Sequence, residues 1–217
     1  MIKTYILIGL VSIFSLSASA QDVVTRKGYT LTFESNYGDL DTKLKSRLIE
    51  TFFEVYPRLA THYNANTMGH VKFRVDTAYK GVAAASGGQV VFSSAWMQKH
   101  PEDIDVVTHE VMHLVQNYGN TNGPGWLTEG IADYARYKFG VDNAGANWAL
   151  GKYKDGQSYT NSYRITAGFL NWLEVYKHAG IVKKLDHQMR AHTYTAEIWK
   201  NLTGKTVDEL WAEYAKS

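Results

Sequence analysis

One short segment, His109-Glu-Val-Met-His113, constrains the fold of this chain more than any other part of its sequence. In a helix, residues i and i+4 project from the same face, so both imidazoles can reach one metal ion while Glu110 lies to one side. Apolar residues recur around this pair at helical spacing, namely Ile104, Val107, Val111, Leu114 and Tyr118. The sequence therefore predicts a metal-binding helix that begins near His100-Pro101 and ends at Gly119.

The sequence contains no cysteine, and this restricts the possible metal ligands. Thiolate zinc sites, disulfide scaffolds and cysteine nucleophiles are all excluded, so a metal must be held by histidine, carboxylate or water. A catalytic zinc site has three protein ligands and one open position. We therefore expect one zinc ion, held by His109, His113 and a third residue from another segment.

Few residues qualify as the third ligand. The position six residues after His113 is Gly119, which has no side chain. A second helix, predicted from Trp126 to Phe139, carries Glu129 and Asp133 on one face. Because only a short loop separates the two helices, they should pack as antiparallel neighbours. Glu129 would then bind the metal while Asp133 accepts a hydrogen bond from a ligand histidine; exchanged roles and a solvated acidic face stay open as alternatives.

These residues predict the hydrolysis of an amide bond. Zinc polarises a bound water and a scissile carbonyl, and Glu110 would act as the general base that takes the proton of the water and passes it to the leaving amine. Gln116 shares the histidine face, where it either orients a ligand or a bound water or is an ordinary surface glutamine. The oxyanion needs a donor besides the metal, for which the chain offers 15 tyrosines.

Hydrophobic periodicity divides the chain into a part with strands and a helical remainder. Alternating apolar residues predict strands around 29–33, 71–75 and 89–93, and a helix with Asp41 as its N-cap and a kink at Pro57 separates the first two. The strand at 89–93 either lies at a sheet edge, where it can pair with an extended substrate, or is buried. Beyond residue 100 the pattern is helical, and it ends in a helix with the capping box Thr206-x-x-Glu209. The expected fold is a single α+β domain in which a small mixed sheet and the active-site helix pack on a mainly helical C-terminal half.

Residues 1–20 have the organisation of a cleavable secretory signal. Lys3 precedes an apolar run over 5–16, and Ala18-Ser-Ala20 follows as a cleavage site. A membrane anchor is the alternative, but the run is shorter than the roughly 20 residues that a spanning helix needs. We expect cleavage after Ala20, a mature single domain over 21–217 without membrane contact, and a secreted or periplasmic location.

The charge balance bears on the partners of the protein. Lys and Arg number 23 and Asp and Glu 21, which gives a net charge of only +2. Binding to a phosphate backbone requires a dense basic face, so nucleic acid is not an expected partner. The expected partner is a peptide or protein substrate, and the expected state is a monomer.

Four segments, in order along the chain, carry a family resemblance: residues 109–116, 124–134 with Arg136, 162–170 and 204–211. With these segments the chain resembles the basic secretory proteins, first described in plants and with relatives in bacteria, within the thermolysin-like gluzincin superfamily. The resemblance covers most of the mature chain. It implies secretion and a zincin-like protease fold with His109, His113 and Glu129 on the zinc, Glu110 as the base and Asp133 as outer support.

The resemblance also singles out one tyrosine and shows one departure. Tyr163 matches a tyrosine of the family pattern, so it is our choice for the oxyanion donor. The mature chain, which lacks Lys3, has 22 positive and 21 negative residues and is nearly neutral. Roles that depend on a strong positive charge therefore do not carry over.

Three functions compete on this sequence. The first is a secreted zinc metallopeptidase. The second is a non-catalytic zinc-binding defence or interaction protein with a peptidase fold, against which Glu110 argues because a structural zinc needs no base beside it. The third is a peptidase directed at glycoproteins, suggested by 6 Trp and 15 Tyr, since exposed aromatic rings can stack on sugars.

Overall fold

The computed structural model describes residues 21–217, so the predicted signal sequence lies outside the described residues. The five strands of this part are β1 (Asp22–Arg26), β2 (Tyr29–Ser35), β3 (His70–Asp76), β4 (Ala83–Ser86) and β5 (Gln89–Ser93). Its eight α-helices are α1 (Thr42–Tyr63), α2 (Ser94–Lys99), α3 (Val106–Gln116), α4 (Gly125–Phe139), α5 (Tyr163–Tyr176), α6 (Ile181–Arg190), α7 (Glu197–Thr203) and α8 (Val207–Tyr214). The predicted α+β class is confirmed. None of the helices within 21–217 has the length and hydropathy that a membrane crossing requires.

The strands form one mixed sheet in the order β1-β2-β3-β5-β4. The central pairs β2–β3 and β3–β5 are parallel, whereas β1 and β4 join antiparallel at the two edges. Of the two alternatives for residues 89–93, the buried strand holds and the edge position is excluded, because β5 is enclosed between β3 and β4. The edge strand on this side of the sheet is β4, which is not predictable from the sequence because Ala-Ala-Ala-Ser has no alternating pattern.

Helix α1 packs against the sheet through aromatic residues. The Phe52 ring lies edge-on to Phe73 of β3 at 5.5 Å, and Tyr56 contacts Tyr29 at 5.1 Å between ring centroids. Edge-to-face pairs of this kind stabilise a core beyond the apolar area that they bury. This packing attaches α1 to the sheet, and the other side of α1 contacts α3.

The predicted kink at Pro57 does not interrupt α1, which runs unbroken from Thr42 to Tyr63. Proline has no amide hydrogen, so the carbonyl of Phe53, four residues earlier, lacks its helical partner. Lys27 Nζ donates to this carbonyl at 3.3 Å. A donor from the β1–β2 turn thus replaces the missing helical hydrogen bond.

Helix α3 begins at Val106, five residues after Pro101, the predicted first helical residue. Two acidic residues of the segment before α3 form tertiary contacts instead of a first helical turn. Asp103 accepts hydrogen bonds from the Trp96 indole and from Arg136, and Asp105 accepts from the backbone amides that follow α4. Tertiary contacts therefore override the local helix-start signal.

The C-terminal end of α3 also differs slightly from the prediction. The helix ends at Gln116, and Asn117 caps it in the left-handed region with φ 43°, two residues before the predicted stop at Gly119. Helix α4 then packs against both α3 and α5. Gly130 allows a close approach of α4 and α5, since a Cβ there would lie 2.2 Å from Thr166 Cγ2.

Candidate metal centre

Helices α3 and α4 bring three potential metal ligands together. His109 and His113, one helical turn apart, point their Nε2 atoms at each other at 3.1 Å. Glu129 Oε2 of α4 lies 3.3 Å from His109 Nε2 and 3.5 Å from His113 Nε2. One ligand atom from each residue lies within 4.8 Å of the others, so the three can meet one ion.

The outer nitrogen of each histidine is held by a second residue. His109 Nδ1 lies 2.7 Å from Asp133 Oδ1, and His113 Nδ1 lies 2.7 Å from Gln116 Oε1. Because both partners present an oxygen acceptor, each Nδ1 donates, so each Nε2 can offer its lone pair to a metal ion once it carries no proton. Asp133 contacts only the outer nitrogen of His109, so the arrangement favours Glu129 over Asp133 as the ligand.

Gln116 is an internal residue of the site rather than a surface glutamine. It is 1% exposed, and its Nε2 donates to the backbone carbonyl of Thr128 at 2.9 Å. One amide side chain thus connects His113 of α3 to the residue before Glu129 on α4. This link fixes the spacing between ligands that come from different helices.

The charges of the site favour a cation. Burial lowers the pKa of His109, but its hydrogen bonds with Asp133 and Glu129 outweigh burial and raise the pKa to about 10. Burial raises the pKa of Glu129, but hydrogen bonds from both histidines lower it to about 2. In the metal-free protein, a proton on His109 therefore supplies a positive charge that balances the carboxylates of Asp133 and Glu129. A divalent ion at the Nε2 atoms would take its place.

Glu110 faces the same cavity and has no competing partner. Its side chain is 6% exposed and accepts no hydrogen bond from the described residues, 21–217. Burial raises the pKa of this carboxyl group, and the positive charge near His109 and His113 offsets only part of the increase. A buried carboxylate with a raised pKa, next to a metal site, is suited to accept and return a proton.

Tyr163 borders the cavity at the start of α5. Its ring is nearly parallel to that of His109, at 6.1 Å between centroids, and the residue is 54% exposed. Ser162 and Tyr163 both have positive φ values, 66° and 50°, which are strained for residues other than glycine. The negative charge of Glu129 is the main cause of the raised pKa of Tyr163, so the Tyr163 hydroxyl stays protonated at neutral pH.

The cavity around these residues has a volume of about 840 Å³. Several side chains of its walls were not predicted from the sequence. They are Ala83, Ala84 and Ala85 of β4, and Trp96, Arg136, Trp148 and Arg164 from helices and loops. A signal existed for Arg136 and Arg164, because both fall within the segments that carry the family resemblance. The sequence contains no such signal for the two tryptophans, since a single aromatic residue outside a periodic pattern does not indicate a cleft.

Comparisons with known proteins give one family. A family model described as a peptidase of plants and bacteria, BSP, matches residues 13–214. No curated protein matches the chain at the significance required.

Solved structures give only distant likenesses. A mutant of a two-domain M1 zinc metallopeptidase bound to L-tryptophan shares 12% identity, with a TM-score of 0.44 over 90% of this chain and 47% of that one. A mutant M1 zinc metallopeptidase from Deinococcus radiodurans, bound to a Tyr-Ser-Ala substrate, shares 12% identity, with a TM-score of 0.42 over 92% of this chain and 48% of that one. This chain thus spans less than half the length of these solved proteins.

Proposed function

The chain belongs to the BSP family of peptidases of plants and bacteria, and on this premise we propose that it is a secreted zinc-dependent peptidase with a gluzincin-like centre. The observation that carries the proposal is the convergence of His109 Nε2, His113 Nε2 and Glu129 Oε2 on one point beside Glu110. Two imidazoles and a carboxylate suit zinc, and zinc sites with three protein ligands leave a position open for chemistry. Zinc bound there would supply Lewis acidity toward a scissile carbonyl and toward water.

Glu110 is the proposed general base. Its carboxylate faces the cavity, has no other hydrogen-bond partner among the described residues, and has a pKa raised by burial. It takes a proton from the attacking water and returns it to the leaving amine, because the same carboxyl group can serve in both directions. A structural metal site has no need of such a residue, so Glu110 favours a peptidase over a non-catalytic zinc-binding protein.

Tyr163 is the proposed hydrogen-bond donor to the oxyanion. It lines the cavity next to His109 and keeps its proton, since the nearby carboxylates raise its pKa. A neutral hydroxyl aimed at developing negative charge stabilises the transition state more than the ground state. Its exposed position allows the ring to adjust when a substrate enters.

The edge strand β4 is the proposed site for the substrate backbone. Ser93 N donates to Val82 O, and the alternation of an antiparallel ladder leaves the backbone groups of Ala83 and Ala85 on the outer side of β4. Tyr79 already donates to the carbonyl of Ala83 at 3.0 Å. Ala85 therefore offers the free backbone groups with which an extended peptide can pair along the cavity.

Secretion and domain organisation complete the proposal. Residues 1–20 act as a signal that is removed after Ala20, and residues 21–217 form one catalytic domain. The support is the signal-like sequence of residues 1–20 and the single hydrophobic core that extends from β2 to α8.

Two variants separate metal binding from catalysis. We expect Glu110→Gln to keep one zinc per chain but to lose hydrolysis by at least a hundredfold, whereas His113→Ala loses both. Zinc content by atomic spectroscopy and cleavage of quenched-fluorescent peptides measure the two properties. An exposed matched variant, Glu102→Gln, should retain both. Undiminished hydrolysis by Glu110→Gln would overturn the assignment of the base.

A further inference from the structure

The walls of the cavity contain two arginines, and only one of them is neutralised. Arg136 is 5% exposed, donates to Asp103 Oδ1 at 2.6 Å and stacks on Trp148 at 4.5 Å. Arg164 lies in the first turn of α5, is exposed, and lines the same cavity. Its side chain makes no hydrogen bond or ion pair with any residue of the described part, 21–217.

The surroundings of Arg164 leave its charge unsatisfied. The first turn of α5 contains no acidic residue. Three of the four carboxylates of the cavity are engaged elsewhere, since Glu129 and Asp133 bind the histidines and Asp103 binds Arg136. The fourth, Glu110, forms no ion pair with Arg164. The guanidinium of Arg164 is therefore available to a ligand.

The backbone before Arg164 places it in the cavity that the metal ligands also line. The positive φ angles of Ser162 and Tyr163 set the direction in which α5 begins. This turn places the Tyr163 ring beside His109, and Arg164 follows it in the same wall. A group bound by Arg164 would thus belong to a part of a substrate that lies within this cavity.

We propose that Arg164 is a substrate-binding residue that recognises a carboxylate of the peptide, an inference that rests on the proposed function. The planar guanidinium matches a carboxylate with two parallel hydrogen bonds, which a neutral amide cannot reproduce. Two sources of this group are possible: an Asp or Glu side chain near the scissile bond, or the α-carboxylate of a short peptide. The first makes the enzyme selective for acidic sequences, and the second directs it to chain ends.

Matched peptides distinguish these sources. One pair differs only by Glu or Gln at a position near the scissile bond, scanned along the peptide, and another by a free or amidated C-terminus. The wild-type zinc protein should prefer the carboxylate member of one pair by about fivefold to tenfold in kcat/KM, and this ratio should fall as salt screens the contact. In Arg164→Gln the ratio should drop to about one, and Arg164→Lys should restore part of it.

The control variant is Arg58→Gln, which removes an exposed arginine from α1, outside the cavity, and should keep the wild-type ratio. Equal ratios in wild type and Arg164→Gln would overturn the proposal while leaving peptidase activity intact. Binding of the same peptide pairs to zinc-loaded Glu110→Gln, measured by calorimetry, tests the proposal without turnover. If no peptide is cleaved, the proposed function fails, and the ratio of the binding affinities for the paired peptides alone decides the role of Arg164. A binding ratio near one would overturn the proposal that Arg164 recognises a carboxylate.

Discussion

Asp133 and Gln116 determine which nitrogen of each histidine faces the metal position. Each holds one Nδ1 at 2.7 Å, so neither imidazole can rotate or change tautomer without losing this hydrogen bond. Asp133 also adds negative charge behind His109. In the proposed zinc site, these two residues would contribute to metal affinity without touching the metal.

Replacement of Asp133 tests this contribution. We expect Asp133→Asn to weaken zinc affinity by about 10-fold to 100-fold, because an amide orients His109 but no longer adds charge to it. Competition with a fluorescent zinc chelator measures the affinity. The same substitution at the exposed Asp155 should have no effect. Unchanged zinc affinity in Asp133→Asn would show that Asp133 does not contribute to metal binding.

The raised pKa of His109 predicts that zinc binding releases a proton. In the metal-free protein this pKa is about 10, above the ordinary value of 6.5, so His109 is protonated at neutral pH and must lose its proton to bind metal. Zinc affinity should therefore fall as the pH drops below about 10, by about tenfold per pH unit. Calorimetry in buffers of different ionisation enthalpy should find about one proton released per zinc at pH 8. An affinity that does not change between pH 7 and 9 would contradict the assignment.

Helix α6 fixes the C-terminal ends of the helices that build the site. The Arg190 guanidinium donates to the carbonyls of Val115 and Gln116 at the end of α3, and to that of Tyr63 at the end of α1 at 2.8 Å. It also forms an ion pair with Asp186, which is fully buried. One side chain thus donates to carbonyls at the ends of two helices, where helical partners are missing; the carbonyl of Val115 also accepts from Asn64 Nδ2 at 2.9 Å.

Loss of the contacts of Arg190 should destabilise the folded protein. We expect Arg190→Met to lower the free energy of unfolding by about 3 kcal/mol or more, since it leaves the Asp186 carboxylate buried without its cation. The matched control is Arg58→Met, which removes an arginine with the same i,i+4 spacing from an exposed pair with Glu54 and should cost about 1 kcal/mol or less. Urea denaturation of the zinc-free proteins compares them. Equal losses of unfolding free energy in the two variants would show that the Asp186–Arg190 pair stabilises the protein no more than the exposed pair does.

What the sequence predicts well here is local. His109, His113, Glu129 and Asp133 were found because spacing of four residues places side chains on one helical face. The start of α3 was misplaced because Asp103 and Asp105 bind partners that are 33 and 36 residues distant. Arg190 was not singled out, since its contact with Tyr63 spans 127 residues and leaves no mark on local periodicity.

The whole domain should respond to metal as one unit, because strands and helices share a single core. Zinc at about 100 times its dissociation constant should add about 2.7 kcal/mol to the free energy of unfolding and raise Tm by about 5–10 °C in a single transition. Calorimetry of the mature chain with zinc and with chelator measures the shift. His113→Ala should show no shift, and two separate transitions would contradict a single domain.

The central claim, that a His-His-Glu zinc site catalyses peptide hydrolysis, is tested most directly by one paired measurement. Zinc content of the purified mature chain is determined together with cleavage of a quenched-fluorescent peptide library, with and without chelator, in wild type and Glu110→Gln. We predict one zinc per chain in both proteins and cleavage only by wild type without chelator. Stoichiometric zinc with no cleavage by wild type, or cleavage that survives zinc removal, would contradict it.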